Sequence, residues 1–233
     1  MLFNDRAEGG RVLASRLAQY SGRSDVLVLG LPRGGVPVAF EIARALGAPL
    51  DVFVVRQLGA AGSDQPVVGA IASGGVQVLD VELIRSLGLV DGAISAIGAD
   101  AKEWRELERR ERAYRGLRSP PVLRGRTLIL VDDGLTRAPI MRAAVRALRQ
   151  QGAAGVVTAV PVGDPELCRE LSGEADEFVC AVTPSKFYAV GLWYREFKPV
   201  SNDDVRELLS QAAYERESLA LAASVPSRVL RTA

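Results

Sequence analysis

The residues best placed to do chemistry are two adjacent carboxylates, Asp132 and Asp133, which follow directly on the apolar run Leu128 to Val131. A short loop and a helical pattern beginning near Ile140 come next, so Thr127 to Ala144 reads as strand, turn and helix. In open parallel sheets ligands bind beyond the carboxyl ends of the strands, where paired acids can meet a polyhydroxyl or a metal-bound ligand. The plainer alternative is that Asp133 caps the turn and Asp132 is solvated. A second unit has the same form: the strand Asp25 to Gly30, the turn Leu31-Pro32-Arg33-Gly34-Gly35, and an apolar helix from Val36 to Leu46. Such a glycine turn between strand and helix can face a phosphate, although many only reverse the chain. Arg33 could add a charge-assisted contact, or simply pair with Glu41.

These residues need a scaffold, and the rest of the chain supplies one by alternation. Asp5 to Tyr20 has helical spacing, with Asn4 or Asp5 as a cap. Leu50 to Val55 reads as a second strand, followed by Arg56 and a small-residue turn through Gly62. Val67 to Ala72 and Val76 to Leu79 flank Ser73-Gly74-Gly75 as a hairpin. Asp91 to Tyr114 is helical and highly charged, with Ile94, Ile97, Trp104, Leu107 and Tyr114 as buried positions and interspersed Arg and Glu as a solvated face. Ser119-Pro120-Pro121 breaks it. Gly155 to Pro161 and Glu177 to Val182 read as further strands, with a helix capped near Asp164 between them and another from Asn202 to Ala223. The pattern predicts an α/β fold with a mostly parallel central sheet flanked by helices.

Composition narrows the chemistry. The 233 residues suit one sizeable domain, and a formal net charge of +1 gives no reason to expect nucleic acid or a membrane as partner. There is no histidine, which removes Ser-His-Asp, Cys-His and His-based zinc chemistry. Cys168 and Cys180 lack metal-ligand spacing and read as buried small hydrophobes in a reducing compartment. With no apolar leader and no stretch of membrane-spanning length, a cytoplasmic location is expected.

The stretch from Leu128 to Leu135 resembles the ribose-phosphate signature of the type I phosphoribosyltransferases: a buried strand, two acids, then a loop rich in Thr, Gly and Ser. Leu31 to Ala39 is similar to the pyrophosphate loop of a small bacterial subgroup of that family, and Arg56 matches a basic residue common there. Ser185 to Tyr194 looks like the base-recognition segment of the purine enzymes, with Lys186, Phe187 and Gly191 matching and Tyr188 beside them. Glu196 is the nearest acidic candidate after the glycine. The alternative for these aromatics is that they cover the sheet edge and the C-terminal helix.

The resemblance implies a type I phosphoribosyltransferase-like domain over residues 1–223: a core of about 25–183, a hood from 1–24 and 184–200, a C-terminal helix over 201–223, and a tail over 224–233. It also implies a mobile loop near the Val67 to Leu79 region, closing over the reaction centre. Asp132 and Asp133 would bind the ribose hydroxyls of phosphoribosyl pyrophosphate and act in catalysis. Gly134, Leu135, Thr136, Arg137, Ala138, Pro139 and Ile140 would cradle the 5-phosphate, and Pro32, Arg33, Gly34, Gly35 and Arg56 the pyrophosphate. Mg2+ would enter on the substrate, near Asp132 and Asp133, with no direct protein ligand. A nitrogenous base, purine-like, would be the acceptor, and a homodimer is implied.

The match departs at Thr136 to Ile140. Pro139 has no N–H, Ala138 resists the positive φ open to glycine, and Ile140 puts an alkyl group where a hydroxyl is usual. Thr136 keeps one hydroxyl, and Arg137 offers a planar fork of donors. Two other readings therefore stand beside the transferase. One is a catalytically impaired member that binds a nucleotide, sugar phosphate or protein as a sensor or scaffold. The other is a phosphatase or nucleotide hydrolase with Asp132 as nucleophile or metal ligand.

Overall fold

A computed structural model describes residues 2–59, 67–88 and 101–224. The N-terminal helix α1, Arg6–Arg16, starts at Asp5, whose side chain accepts from the Glu8 N–H. Strand β1, Val26–Gly30, leads through the glycine turn into α2, Gly35–Leu46, and then β2, Leu50–Val52. Strands β3, β4 and β5 are Val55–Gly59, Val67–Ala72 and Val76–Leu79. The short helix α3, Val81–Ser86, follows, and α4 is Ala101–Arg115. Strand β6, Thr127–Val131, is followed by α5, Ala138–Gln150, and β7, Gly155–Val162. Helix α6, Pro165–Leu171, strand β8, Glu177–Val182, and the long helix α7, Asn202–Ser224, complete the order.

The central sheet has five parallel strands in the order β2-β1-β6-β7-β8. The apolar runs are continuous because the strands are covered on both faces. Val26, Val28, Ile129, Val131, Val157 and Ala159 pack with Leu13 of α1, Leu17 just past its end, and Val38 and Ile42 of α2. The alternate residues Leu27, Leu29, Leu128, Leu130, Val156 and Val160 pack with Met141, Val145 and Leu148 of α5 and Leu171 of α6. From β1 the chain moves outward to β2, and from β6 it moves the other way to β7. The order thus reverses between β1 and β6, and the crevice beyond their carboxyl ends is where such sheets take ligands.

One strand reading is corrected. Leu50 to Val55 is not continuous: β2 ends at Val52, and β3 begins at Val55 in a separate antiparallel sheet of order β3-β4-β5. The chain changes sheets because Phe53 N–H donates to Gly30 O at 3.0 Å, while Val54 N–H donates to Ser73 Oγ at 2.8 Å. Arg56 accordingly sits inside β3 rather than at a strand end. The hairpin holds, with Gly74 and Gly75 at φ of 85° and 74°. Ala60 to Gly62, Asp91 to Asp100 with Ile94 and Ile97, and residues 225–233 lie outside the described residues.

Candidate active site

The loop after β6 is pinned on both sides before it turns into α5. Asp132 N–H donates to Ala159 O at 3.3 Å, and Leu135 N–H to Val162 O at 2.9 Å. Asp133 N–H donates to Asp132 Oδ1 at 2.8 Å. Gly134 admits the neighbouring segment: a Cβ there would stand 2.5 Å from a methyl of Val190. The loop after β1 is tied to the same place, with Leu31 N–H donating to Val131 O at 2.8 Å and Gly35 N–H to Leu31 O at 3.0 Å. The Pro32–Arg33 peptide bond is cis.

The two loops touch through glycine. A Cβ on Gly35 would lie 2.5 Å from Val131 O, and one on Gly34 would lie 2.0 Å from Asp133 Oδ2. Gly34 has φ of −63°, which any residue can adopt, so what excludes a side chain there is space alone.

Asp133 is held rather than solvated. Arg6 Nε donates to its Oδ2 at 2.8 Å, and only 11% of the Arg6 side chain is exposed. The same guanidinium donates from Nη1 to Lys198 O at 2.8 Å and lies 3.8 Å from the centroid of the Phe197 ring. Tyr194, buried between Phe3 and Phe197, donates its hydroxyl to Asp133 O at 2.6 Å. Burial, reinforced by the negative charge of Asp133, pushes the Asp132 carboxyl well above the usual carboxylate range. Burial and the same Asp133 charge also raise the Tyr194 phenol, which stays a donor. Neither plain alternative for the acids holds: Asp133 bonds Arg6 instead of capping the turn, and Asp132 is not an open surface carboxylate.

The rest of the phosphate loop is less generous. Thr136 and Arg137 are exposed. Arg137 stands at the N-cap of α5, extended at φ −143° and ψ 104°, without a side-chain capping bond. Ala138 is buried, Pro139 occupies the first turn, and Ile140 packs against the main core.

The remaining sequence-derived positions separate. Gly34 and Gly35 meet the loop after β6, and Pro32 and Arg33 precede them in the same turn; Arg33 is exposed and, among the described residues, makes no ion pair. Glu41 pairs with Arg11 at 3.6 Å and Arg44 at 2.5 Å, not with Arg33. Arg56 is turned to α4, donating from Nε to Glu103 at 2.7 Å and lying 3.9 Å from Glu106. Lys186 is exposed, Phe187 packs with Phe3, Val162 and Tyr194, and Tyr188 stands 79% exposed. Sequence reasoning missed Arg6 and overlooked the role of Tyr194. An arginine in the first turn of an amphipathic helix carries no local sign of a partner 127 residues away.

The comparisons with known proteins fall on this frame. The family pattern described as phosphoribosyl transferase domain matches residues 4–183. The chain belongs to the phosphoribosyl transferase family.

Two curated family relatives, from the CDC 1551 / Oshkosh and ATCC 25618 / H37Rv strains of Mycobacterium tuberculosis and provisionally named phosphoribosyl transferases, are each 46% identical over 211 residues. These alignments cover 91% of this chain and 47% of each relative, so the chain spans about half their length. The crystal structure of TT1426 from Thermus thermophilus superposes with a TM-score of 0.80 at 39% identity, covering 91% of this chain and 99% of that one. The phosphoribosyl transferase resemblance and the α/β fold class drawn from sequence are both borne out. The family match takes in both crevice loops, whereas Lys186, Phe187 and Tyr188 lie beyond it. Among the described residues, no helix is long and apolar enough to cross a membrane.

Proposed function

We propose that this phosphoribosyl transferase domain transfers a phosphoribosyl group between phosphoribosyl pyrophosphate and a nitrogenous base, purine-like in character. The observation that carries the reading is the convergence of two loops at the point where strand order reverses, with the Asp133 carboxylate against the backbone of Gly34. Asp132 and Asp133 take the 2- and 3-hydroxyls of the ribose. The backbone at Gly34 and Gly35, with Arg33, receives the pyrophosphate, which Arg56 can join on release from Glu103. Thr136, Arg137 and the first N–H groups of α5 receive the 5-phosphate.

Transfer by this route develops oxocarbenium-like charge at the anomeric carbon, and the Asp133 carboxylate fixed beside it stabilises that charge without a histidine. The chemistry of the acid pair fits magnesium carried on the substrate: one Asp133 oxygen is occupied by Arg6, and Asp132 resists ionisation. When bound, that magnesium would offset the charge of the leaving pyrophosphate. Tyr188 offers an open ring for stacking a base, with Lys186 near it in sequence. A homodimer and a cytoplasmic setting belong to the same proposal.

The test is pyrophosphate release from phosphoribosyl pyrophosphate and magnesium with a panel of purine and pyrimidine bases. Release that depends on one base and is lost in Asp132→Asn/Asp133→Asn supports the reading. No release with any base removes the transferase activity. A second reading, a ligand-binding member with impaired catalysis, is favoured by the Arg137 to Ile140 stretch, where Pro139 lacks an N–H and Ile140 is packed inward. Replacing 136–140 with a Thr-Gly loop would then tighten phosphoribosyl pyrophosphate binding ten- to hundredfold, because each donor to a charged group contributes roughly 1.5 to 3 kcal/mol. Unchanged affinity after that replacement counts against the impaired reading.

A further inference from the structure

We propose that Arg6 is a positioning residue for the acid pair, fixing which oxygen Asp133 offers to a ligand. The inference rests on the reading of Asp132 and Asp133 as the ribose-binding acids. Asp133 Oδ2, the oxygen nearest Gly34, is taken by Arg6 Nε at 2.8 Å, while Oδ1 accepts no hydrogen bond among the described residues. Arg6 therefore leaves Oδ1 as the less engaged acceptor for a hydroxyl.

The arrangement uses three separate features of a guanidinium. Nε donates to Asp133, Nη1 donates to Lys198 O, and the flat face lies on Phe197. An exposed ion pair holds its partners loosely, but here the two side chains are 11% and 17% exposed. The partners also come from three separate parts of the chain: α1, the loop after β6, and the segment beyond β8. That segment is fixed to the acids a second time through Tyr194 on Asp133 O. A lysine would keep the charge yet supply neither the fork nor the face, so the two residues are not interchangeable at this site.

The experiment compares Arg6→Gln and Arg6→Lys with the natural protein. The first readout needs no ligand: the backbone amide resonances of Gly34 and Gly134, beside the acids, against those of Gly125 and Gly152, which join at the opposite end of the sheet. The expected result is movement of Gly34 and Gly134 in both variants with Gly125 and Gly152 in place. The second readout is the dissociation constant for phosphoribosyl pyrophosphate with magnesium, expected to rise at least tenfold in Arg6→Gln and to recover only part of that loss in Arg6→Lys.

If the variants melt earlier but leave Gly34, Gly134 and the affinity unchanged, Arg6 is a structural pair only and the proposal fails. Full recovery of affinity in Arg6→Lys also overturns it, since charge alone would then suffice. Should the natural protein not bind phosphoribosyl pyrophosphate while Gly34 and Gly134 still move, the positioning role stands and the ribose reading is what falls.

Discussion

Adding one methyl group at Gly34 should disturb the crevice more than any change of charge on the surface. The Cβ of Gly34→Ala would stand 2.0 Å from Asp133 Oδ2, 2.6 Å from its Cγ and 3.1 Å from Oδ1. Because the backbone at Gly34 is right-handed helical, alanine brings no torsional strain, and the whole effect comes from that overlap. Two responses are open. Asp133 can rotate away and lose its bond to Arg6, at about 1.5 to 3 kcal/mol for a hydrogen bond between charged groups. Otherwise the loop can move, at about 1 to 3 kcal/mol for overpacking a tight site. Rotation of so short a side chain sets the scale, so the midpoint should fall by about 3 to 12 °C in a thermal melt of a chain of this length. Gly47→Ala is the control: its φ of 65° makes alanine costly, but a Cβ there meets nothing within 4 Å. Both variants should lose stability by differential scanning calorimetry, and only Gly34→Ala should lose affinity for phosphoribosyl pyrophosphate. A Gly34→Ala protein with natural stability and natural affinity would refute the contact between the two loops.

Asp132→Asn should stabilise the chain at neutral pH. Burial and the neighbouring Asp133 raise the Asp132 carboxyl in the folded state above its unfolded value of about 3.9, so its contribution to stability is present below that value and lost as pH rises through the raised one. Asparagine does not titrate; melting curves from pH 4 to 8 should show the variant's advantage growing with pH, and a constant gap would contradict the assignment. Arg115→Met should be severe. Its buried guanidinium donates to Asp51 at 2.9 Å, Glu111 at 2.8 Å and Val52 O at 2.8 Å, and breaking such a cluster from one side costs about 3 to 5 kcal/mol. Chemical denaturation should show that loss, with part of it recovered when Asp51→Asn is added, because less uncompensated charge is then left buried. Tyr194→Phe should cost about 1 kcal/mol by removing the hydroxyl that donates to Asp133 O, a loss of about 2 to 4 °C in the melt.

The parallel sheet was readable because strands buried on both faces must be apolar at every position, as in Val26–Gly30 and Thr127–Val131. Local chemistry also marked several boundaries. Asp5 and Asp164 cap their helices as expected, Pro165 occupies a first turn, and Gly74 and Gly75 take the left-handed turn of the hairpin. The break at Phe53 and Val54 was not readable, since both halves of Leu50 to Val55 have strand character and the change of sheet depends on Gly30 and Ser73. At the site, the acids announced themselves by their place after an apolar run. Their partners did not, because Arg6 and Tyr194 reach Asp133 only through the fold. Arg56 shows the converse: a basic residue beside an apparent strand end looked available, but Glu103, 47 residues along, engages it.

The most direct test of the central claim is calorimetric titration of phosphoribosyl pyrophosphate with magnesium into the natural protein and into a folded Asp132→Asn/Asp133→Asn variant. The account predicts saturable binding by the natural protein and its loss in the variant, which would put the ribose at the end of β6. Equal binding by both proteins, or none by the natural protein, would contradict it.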